Sequence, residues 1–544
     1  MDYPNRLYIL SGVKDGFHVV DTNKLSKITQ HVEMDNYKSV TCGALKDMAE
    51  AQIISEIEHG HYVVTEQKPL ITSALGAITK KSGLDIRLIH DASRPPGGAV
   101  NDYAYNDPFK YQTLQDAIDQ ITPGSFLAKC DLSQAYRVVP VHTSNYTALG
   151  LKYTFTGDSD PTYMTDTRLP FGCKLSPQIF NTLTQAVRKI MASRGFHNIT
   201  AYLDDFLICE SSYQKCKETL SILLKLLREL GFQINYSKLE GPAQRLTFLG
   251  ITLDTTTMTM ELPVDKLVDL QDCIKHIQKV DKVTKRQLMS LAGKLNWCTQ
   301  VIYGGRPHLR RILDRINTLR KPWHRTRITN PMRRDLEFWL FWLPQFNGCM
   351  PMVEYRPLTP TYLDACNISL GAYYEGDWIY TPLATGWPAA SNLHINHKEV
   401  LALEPAAIRW GHLWANRKVT IHSDNQAAVS MINKGSSKHP LVMDSLRRIF
   451  WLSIAFNFRL HAVYISGPQN KMADQVSRLH EPGGLQRLYA LQRDLISGNY
   501  CLCRCDTCTG TQPGWTGGTL SGTQIRRQYT QDIQYPQINI FDVL

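Results

Sequence analysis

Two adjacent carboxylates, Asp204 and Asp205, lie in the middle of an otherwise apolar run, Ala-Tyr-Leu-Asp-Asp-Phe-Leu-Ile-Cys over residues 201–209. Two ionised side chains in apolar surroundings repel each other and lose hydration, so at least one pKa should rise unless a cation compensates. A divalent metal is the natural cation for that role. The flanking apolar residues predict two short strands joined by a tight turn with the carboxylates at its tip. An acidic hairpin turn without a metal is the alternative.

The length and hydropathy of the chain exclude a small or membrane-embedded protein. Its 544 residues are too many for one hydrophobic core and predict several domains. No apolar run approaches the ~20 residues of a membrane span. The first residues, Met-Asp-Tyr-Pro-Asn-Arg, lack the basic-then-apolar order of a signal peptide. We therefore expect an intracellular protein, cytoplasmic or nuclear, that does not insert into a membrane.

The positive charge of the chain is concentrated in one stretch. Lys and Arg number 60 against 49 Asp and Glu. Residues 306–334 contain ten Lys or Arg and a single acid, Asp314, with Trp323 and three Pro interleaved. Such a strip suits a polyanion, and the phosphate backbone of a nucleic acid is the obvious one. A solvated helical face is the alternative.

Four of the 13 cysteines crowd together near the end of the chain, at Cys501, Cys503, Cys505 and Cys508. Four thiolates could hold Zn2+ in a tetrahedral site, but this spacing is tighter than that of the usual paired knuckles. An unstructured tail is the alternative. The other nine are scattered singly among apolar neighbours, which is typical of reduced core thiols.

A predicted hairpin groups three cations. Two strand-like segments, ITSALGAITKK and LDIRLIHDAS, are joined by a Ser-Gly turn. Their pairing would bring Lys80, Lys81 and Arg87 together around the turn, where they could hold a triphosphate. A solvated edge strand is the alternative for this cluster taken alone.

Further elements surround the acidic pair. An apolar strand ends at Asp131, and such a carboxylate beside an acidic hairpin could clamp two metal ions about 3.5 to 4 Å apart. In the loop before the next helix, Gly172 is free to approach a ligand closely, and Ser176-Pro177 predicts the N-cap and first residue of that helix. A long helix over about 212–230 and a strand pair over 246–254 complete an α+β domain.

Residues 69–254 resemble the fingers and palm of a reverse transcriptase. Six motifs occur in the order of that family. They are R-x3-D (Arg87, Asp91), D-L-x2-A-Y (131–136), the L-P-F-G-x-x-x-S-P loop, the Y-L-D-D hairpin, G-F-x-I-N-x-x-K (ending at Lys238) and F-L-G. Each motif is weak alone, whereas six in register are specific.

The resemblance implies that Asp131, Asp204 and Asp205 are catalytic and hold two Mg2+ ions, with Mn2+ as the alternative metal. It also implies a set of residues that bind the incoming nucleotide. These are Lys80 or Lys81 with Arg87 at the triphosphate, Tyr136 as a gate against a ribose 2′-OH, Phe171 and Gly172 along the pocket, and Lys238 as proton donor to pyrophosphate. For Tyr136 and Lys238 the alternatives are a core aromatic residue and a surface lysine.

Beyond residue 262 the pattern is helical and then basic. In the family this region is the thumb and connection, which grip the duplex through backbone contacts that carry no base preference.

A second set of acids follows a Pro-containing linker. Asp364 lies on a strand, Glu399 in a helix, Asp424 at a strand end and Asp474 in a late helix. Residues 358–480 resemble ribonuclease H, and the motifs S-D-N-Q and G-x-x-N-x-x-A-D-x-x-S-R are specific. The resemblance implies that the four carboxylates hold two Mg2+ ions and activate water to cut the RNA strand of a hybrid. Many ribonucleases H carry a His in the loop before the last acid, whereas this loop, Tyr-Ile-Ser-Gly-Pro-Gln, has none. Turnover should therefore be slow.

These observations predict a multidomain α+β fold, in which a right-hand polymerase (fingers, palm and thumb) is followed by an α/β ribonuclease H-like domain. The predicted segments are an N-terminal extension (1–67), fingers and palm (68–255), a basic thumb or connection (256–345), a linker (346–357), the ribonuclease H-like domain (358–482) and a tail with the Cys cluster (483–544).

The resemblance implies an RNA-directed DNA polymerase with a fused ribonuclease H. Its partners would be an RNA template, a DNA primer, the RNA-DNA hybrid and dNTPs; the oligomeric state is left open. The order of domains and the motif L-I-H-D-x-S-x-P-x-G-x-x-V-N-D look most like DIRS-type retrotransposons, with gypsy-type elements next. A non-catalytic nucleic-acid scaffold is one alternative. The presence of all seven carboxylates argues against it, because a chain that had lost its chemistry would have no reason to keep them. A DNA-templated polymerase is the other, and the ribonuclease H set argues against it.

Overall fold

A computed structural model describes residues 5–80, 83, 85–105, 108–346, 349–354 and 356–496. The described residues fall into two compact units. The first contains the chain up to Pro263 together with Met350–Met352, and the second contains the remainder. Among the described residues, no helix is long and apolar enough to cross a bilayer.

Helices and strands alternate along most of the chain. The α-helices are α1 (Arg6–Asp15), α2 (Thr22–Leu25), α3 (Lys38–Thr41), α4 (Lys46–Glu58), α5 (Leu114–Ile118), α6 (Ser176–Ser193), α7 (Tyr213–Glu229), α8 (Val264–Lys279), α9 (Lys285–Cys298), α10 (Arg310–Asn317), α11 (Asn330–Phe346), α12 (Leu383–Gly386), α13 (Ile395–Leu401), α14 (Leu403–Trp410), α15 (Gln426–Lys434), α16 (Pro440–Ala455), α17 (Lys471–Ser477) and α18 (Gly484–Ile496).

The strands are short, as in most mixed folds. They are β1 (Val32–Glu33), β2 (Tyr62–Val64), β3 (Ile71–Thr72), β4 (Ala74–Thr79), β5 (Ile86–Asp91), β6 (Phe126–Ser133), β7 (Gly150–Tyr153), β8 (Thr162–Asp166), β9 (Ile199–Tyr202), β10 (Asp205–Glu210), β11 (Gln233–Ile234), β12 (Glu240–Ala243), β13 (Arg245–Phe248), β14 (Ile251–Asp254), β15 (Thr259–Glu261), β16 (Lys282–Thr284), β17 (Arg325–Arg327), β18 (Cys349–Pro351), β19 (Leu358–Ala365), β20 (Ser369–Tyr374), β21 (Asp377–Pro382), β22 (Lys418–Ser423) and β23 (Arg459–Tyr464).

The first unit is organised around an antiparallel sheet in the order β11-β6-β10-β9, with β12 also pairing with β6. Helices α6 and α7 cover it because each has an apolar face at helical spacing, as in Ile179, Leu183 and Val187 of α6. Helix α7 begins at Ser212, whose hydroxyl accepts from Lys215 N at 3.3 Å. The predicted hairpin of β9 and β10 is confirmed.

The start of α6 differs from the prediction. The helix begins at Ser176 itself, so this residue is not the N-cap. Its hydroxyl donates to the carbonyl of Pro170 at 2.9 Å instead, because the side chain is fully buried against the preceding loop. The hydroxyl therefore closes the loop that carries Phe171 and Gly172 rather than capping the helix.

The N-terminal residues pack into the first unit. Strands β1 and β2 join β3, β7 and β8 in a five-stranded sheet ordered β1-β3-β7-β8-β2. Helix α4 buries Ala49 and Ile53 in a core shared with Tyr153 and Met164. Strands β4 and β5 form the predicted cationic hairpin, in which Ile78 pairs with Arg87.

The second unit combines a helical part with a mixed sheet. Helices α8 to α11 accompany a two-stranded ribbon of β16 and β17, and Thr284 caps α9. The sheet has the order β21-β20-β19-β22-β23, with parallel pairing between β19 and β22 and between β22 and β23. Its core is closed by helices that bury Trp410 and Trp414.

Helix α11 contains a proline, Pro344, inside its last turn. Helix α11 continues through this residue to Phe346. A proline removes only one intrahelical hydrogen bond, and near a helix end this loss is small compared with the apolar burial of the helix. Leu336 and Trp339 are fully buried, so packing holds the helix past the proline.

Candidate active sites

Three carboxylates meet at one end of the antiparallel sheet in the first unit. Asp131 lies near the end of β6 and is directly opposite Asp205, the first residue of β10. Asp204 occupies the turn before β10, and its carbonyl accepts from Leu132 N at 3.0 Å. The turn is possible because Leu203 adopts a left-handed conformation with φ 53°. Strand register therefore brings together acids that are 73 or more residues apart in sequence.

Little positive charge offsets the negative charge of the three carboxylates in this cluster. Burial, and then the charges of Asp204 and Asp131, raise the pKa of Asp205 to about 7. Burial also raises the pKa of Asp204. The Lys238 ammonium donates to both oxygens of Asp131 at 3.0 and 3.1 Å, and Asn235 donates to one of them at 3.2 Å.

The donor set of this cluster fits a divalent cation. Carboxylate oxygens are the ligands that Mg2+ prefers. Strand register sets Asp131 opposite Asp205 with Asp204 in the adjoining turn, and the neighbouring cations are Lys238 and Arg87. The oxygens of these three acids do not form a group within 4.8 Å of one another, so a bound cation would have to draw them together. Burial and the neighbouring carboxylates raise the pKa of Asp205, and a bound cation would offset both effects.

An aromatic wall lies beside the three acids. The Tyr136 ring packs against Phe171 at 4.9 Å and Phe180 at 5.5 Å between centroids. The Arg87 guanidinium lies over the Phe171 ring, 4.7 Å from its centroid. Burial raises the pKa of Tyr136, so its hydroxyl stays protonated. Three of the sequence-predicted nucleotide-binding residues are thus in one stack.

Gly172 has a structural reason to be glycine. Its φ is +123°, and an added Cβ would lie 2.0 Å from the carbonyl oxygen of His90 on β5. His90 N donates to Phe171 O at 2.9 Å, so the loop is fastened to the hairpin. A role of Gly172 in lining a nucleotide pocket stays a prediction.

The cations of the hairpin are only partly described. Lys80 is half exposed and lies 3.7 Å from Asp85 across the turn. Lys81 lies outside the described residues. The zinc prediction at Cys501, Cys503, Cys505 and Cys508 also falls outside them.

A second acidic cluster is built in the second unit. Adjacent parallel strands β19 and β22 end at the same edge of the sheet, which brings Asp364 beside Asp424. Helix α13 supplies Glu399, and one carboxylate oxygen from each of these three residues lies within 4.8 Å of the others. Asp364 and Glu399 are only 5% and 4% exposed. Such a convergence of hard oxygen ligands fits a divalent cation.

Charge repulsion in this cluster is strong. Burial, moderated by a hydrogen bond from Ser477, raises the pKa of Asp364 to about 7. Burial and the charges of Asp364 and Asp424 raise the pKa of Glu399 to about 9. Asp474 lies outside the 4.8 Å group and accepts from Arg478 at 2.8 Å, yet its charge contributes to the raised pKa of Asp364 and Asp424.

Several residues that support the acids were missed by sequence reasoning. Ser477 donates to Asp364, Ser423 donates to Glu399 at 3.3 Å, and Asn470 donates to Leu363 O at 2.8 Å. Ser477 and Asn470 are fixed letters of the G-x-x-N-x-x-A-D-x-x-S-R motif, so a signal was present. Gly371 allows α17 to approach, because a Cβ there would lie 2.5 Å from Ser477 N.

The second cluster makes stability depend on pH. Carboxyl groups with raised pKa bind more protons in the folded than in the unfolded state, so stability is lost as pH rises through the folded pKa. In a chelating buffer we expect unfolding of the second unit to become easier between about pH 5 and pH 9, by at least about 2 kcal/mol. All ten Trp lie after residue 296, so Trp fluorescence during urea unfolding follows this unit rather than the first.

The matched variant for this test is Glu399→Gln. It removes the most strongly shifted carboxyl group and should flatten the pH dependence. Added Mg2+ should restore stability to the wild type at high pH and do less for the variant. A wild-type pH profile as flat as that of the variant would contradict the charge assignment.

The comparisons with known proteins agree with this geometry. Residues 85–253 match the family model described as reverse transcriptase (RNA-dependent DNA polymerase). This segment carries the sequence signature of the reverse transcriptase family. Over 168 residues the chain is 27% identical to Protein P of duck hepatitis B virus (strain China), covering 31% of this chain and 20% of that protein. It is 23% identical over 184 residues to the Gag-Pol polyprotein of avian reticuloendotheliosis virus, covering 32% of this chain and 14% of that protein.

The chain therefore spans about a fifth or less of these curated relatives. In fold it is similar to the foamy viral protease-reverse transcriptase solved in complex with an RNA/DNA hybrid. The TM-score is 0.50 at 17% identity, covering 83% of this chain and 56% of that chain. The predicted fold class is confirmed to this extent: a polymerase fold is followed by a further domain with a mixed α/β sheet.

Proposed function

We propose that this protein is an RNA-directed DNA polymerase with a fused ribonuclease H. The observation that carries the proposal is the register of β6 and β10, which sets Asp131 opposite Asp205 with Asp204 beside them. The match of residues 85–253 to the reverse transcriptase model supports it independently.

In the polymerase site, Asp131, Asp204 and Asp205 would hold the metal, Mg2+ or alternatively Mn2+. When bound, the metal lowers the pKa of a primer 3′-OH and neutralises the triphosphate, which is the chemistry of in-line nucleotidyl transfer. The Tyr136 ring, packed against Phe171, would leave no room for a ribose 2′-OH.

The cations of this site would act on the triphosphate. Arg87, together with Lys80 or Lys81, would donate charge-assisted hydrogen bonds to it. Lys238 lies on Asp131, where its ammonium can pass a proton to the departing pyrophosphate.

In the ribonuclease H-like site, Asp364, Glu399 and Asp424 would hold the metal with Asp474 as the fourth carboxylate. When bound, the metal activates water for cleavage of the RNA strand. Arg478 holds Asp474 in a fixed position at 2.8 Å, and Ser477 fixes Asp364. The loop between β23 and α17 supplies no His, which supports slow turnover.

One assay tests both activities. A 5′-labelled DNA primer is annealed to an RNA template carrying a second label, and the full chain is added with dNTPs and Mg2+ or with EDTA. We expect metal-dependent primer extension together with template shortening. Folded protein that binds the hybrid without extending it would overturn the proposal in favour of a non-catalytic scaffold. Equal extension on DNA templates with no shortening of RNA would instead favour a DNA-templated polymerase.

The basic strip of the sequence divides into two parts in the structure. Arg310 pairs with Asp314 at 2.6 Å, Arg311 joins a buried network, and Arg333 donates to backbone carbonyls. Four of its exposed cations lie around the β16-β17 ribbon, where the exposed Lys282 and Arg286 join them, and we name this surface the ribbon surface. It consists of Lys282, Arg286, Arg320, Lys321, Trp323, Arg325 and Arg327.

The ribbon surface opposes folding electrostatically. Lys282 is directly opposite Arg327, and like charges at such a pair are destabilising. Arg286 lies in the first turn of α9, where cations are also unfavourable. None of the six cations forms an ion pair with a described carboxylate, and Trp323 is 68% exposed. A polyanion would relieve this repulsion, which supports nucleic acid as the partner.

Removing two of these cations should weaken nucleic-acid binding. We expect the double variant Arg325→Ala, Arg327→Ala to bind an RNA-DNA hybrid about tenfold more weakly at moderate salt, with a smaller slope of log Kd against log salt. Fluorescence anisotropy with a labelled hybrid measures both quantities. The control, Lys217→Ala with Arg228→Ala on the exposed face of α7, should bind as the wild type. Equal weakening in the control would assign the effect to net charge alone.

We further propose that the protein belongs to a retrotransposon of DIRS type, with gypsy type as the next candidate. The motif L-I-H-D-x-S-x-P-x-G-x-x-V-N-D and the direct succession of polymerase and ribonuclease H-like domain support this subclass. Sequencing of the flanking locus tests it, since a recombinase in a separate frame supports DIRS type and an integrase contradicts it.

A further inference from the structure

A buried charged network lies behind the aromatic wall. Arg137, which follows the predicted gate Tyr136, is 6% exposed. Its guanidinium donates to both oxygens of Asp166 at 2.9 and 3.0 Å and to Glu56 Oε2 at 3.0 and 2.8 Å. His61 contacts the same Glu56 oxygen at 2.8 Å. An Arg that bridges two carboxylates in a desolvated site is specific in its geometry.

The network joins three segments of the first unit. Arg137 belongs to the 3-10 helix Ala135–Val138, which presents the Tyr136 ring. Asp166 ends β8 and also accepts from Arg168 N at 3.1 Å, at the start of the loop that presents Phe171. Glu56 comes from α4 in the N-terminal residues. The two aromatic faces of the predicted nucleotide pocket are therefore tied to each other, and both to α4.

The segment that carries Tyr136 has little stability of its own. It is a single 3-10 turn, and it follows Gln134, a non-glycine residue with φ 50°. Backbone geometry alone does not hold such a turn in place. Arg137 connects this turn to the rest of the unit through its ion pairs with Glu56 and Asp166. Its guanidinium also lies 5.3 Å from the Tyr62 ring centroid.

We propose that Glu56 and Arg137 are positioning residues that fix the distance between Tyr136 and Phe171 and thereby set the preference for deoxynucleotides over ribonucleotides. The inference rests on the proposed polymerase function. Neither residue belongs to the aromatic wall: Arg137 acts through the 3-10 turn that carries the Tyr136 ring, and Glu56 acts through Arg137. It also gives the N-terminal residues a role in substrate selection that their sequence did not indicate.

The test uses Glu56→Gln in the full chain. The variant keeps the shape of the side chain and leaves the Arg137–Asp166 pair intact, so the fold should survive. We expect the ratio of kcat/KM for a dNTP to that for the matching rNTP to fall about tenfold, mainly through a higher KM for the dNTP. Tyr136→Ala, which removes the ring itself, sets the upper limit of the loss.

The matched control is Glu50→Gln on the same helix. Glu50 also accepts several hydrogen bonds, from Tyr153 and Thr156, but these residues do not belong to the pocket. The control should discriminate as the wild type. Arg137→Lys, which keeps the charge without the two-pronged geometry, should lose discrimination to an intermediate extent. Wild-type discrimination in Glu56→Gln, with extension intact, would overturn the proposal.

Hydrogen exchange separates this inference from the proposed function. In Glu56→Gln, amide exchange should accelerate in residues 135–139 and 166–172 while other strands of the first unit exchange as before. This readout needs no catalysis. A wild-type protein that extends no primer would overturn the proposed function, while local acceleration would still support the mechanical link. Unchanged exchange in both segments would overturn the link whatever the enzyme does.

Discussion

Replacement of Asp204 by Asn should abolish primer extension and leave the fold intact. Removing one carboxylate from a metal cluster costs several kcal/mol of transition-state stabilisation. At about 1.4 kcal/mol per factor of ten in rate, we expect a loss of about 10³-fold or more. The fold should survive because Asp204 is one of a set of repelling carboxyl groups whose burial raises its pKa. Single-turnover extension of a labelled primer measures the rate.

The stability of this variant is as informative as its rate. Metal-free Asp204→Asn should resist urea at least as well as the wild type, since it removes a destabilising charge. The control is Asp158→Asn, an exposed residue of the loop between β7 and β8, which should extend the primer at the wild-type rate. Full activity in Asp204→Asn would remove Asp204 from the catalytic set. A loss of activity that accompanies unfolding would mean that the carboxylate is structural.

The sequence predicted the hairpin that carries Asp204 and Asp205 correctly because its signals are local. The Y-L-D-D hairpin carries its own turn between two apolar strands, and β9 and β10 were found as predicted. Asp131 was predicted at a strand end for the same reason. Spacing alone could not show that its strand is the neighbour of β10, and the register Asp131 to Asp205 comes from the structure.

The supporting contacts could not be predicted because they join distant segments. Arg137 meets Glu56 across 81 positions of sequence, and nothing in the residues near Glu56 distinguishes it from an exposed helical acid. Which cations of the basic strip are buried could not be predicted for a related reason. Its residues look alike in sequence, yet Arg311 is drawn into a buried network while Arg325 stays exposed. The tertiary contacts of each residue decide whether it is buried or exposed. The periodicity of the sequence carries no information about those contacts.

Both candidate sites follow one construction rule. Each collects carboxylates at the ends of neighbouring strands, antiparallel for Asp131 and Asp205 and parallel for Asp364 and Asp424. A helix or turn then adds a further acid. Rigid sheet edges hold like charges at short distance, which a loop would relax. The raised pKa values are the energetic cost of that placement.

Loss of Asp335 should destabilise the second unit strongly. Asp335 lies in α11 and is 1% exposed. It is in ion pairs with Arg311 at 2.9 Å, Arg447 at 3.3 Å and His308 at 3.2 Å. Arg447 belongs to α16, so the carboxylate joins the helical part of this unit to the part that contains the mixed sheet.

In Asp335→Ala the Arg311 and Arg447 guanidinium groups would lose their buried counter-charge and keep only the half-exposed Asp444. Breaking a buried ion pair by removing one partner costs about 3–5 kcal/mol. We expect the urea midpoint reported by Trp fluorescence to fall accordingly. Cleavage of the RNA strand should fail at temperatures where the wild type still works, because Asp424 and Glu399 belong to the same unit.

Asp444→Ala is the matched control, because this carboxylate contacts the same two guanidinium groups, Arg311 and Arg447, each at 2.8 Å. Asp444 is 46% exposed, so water can replace it, and its loss should cost less than about 1 kcal/mol. The contrast between the two variants isolates burial as the cause, since the partners are shared. Equal and small effects would mean that apolar packing between α11 and α16 holds the unit together and that the buried charges add nothing to it.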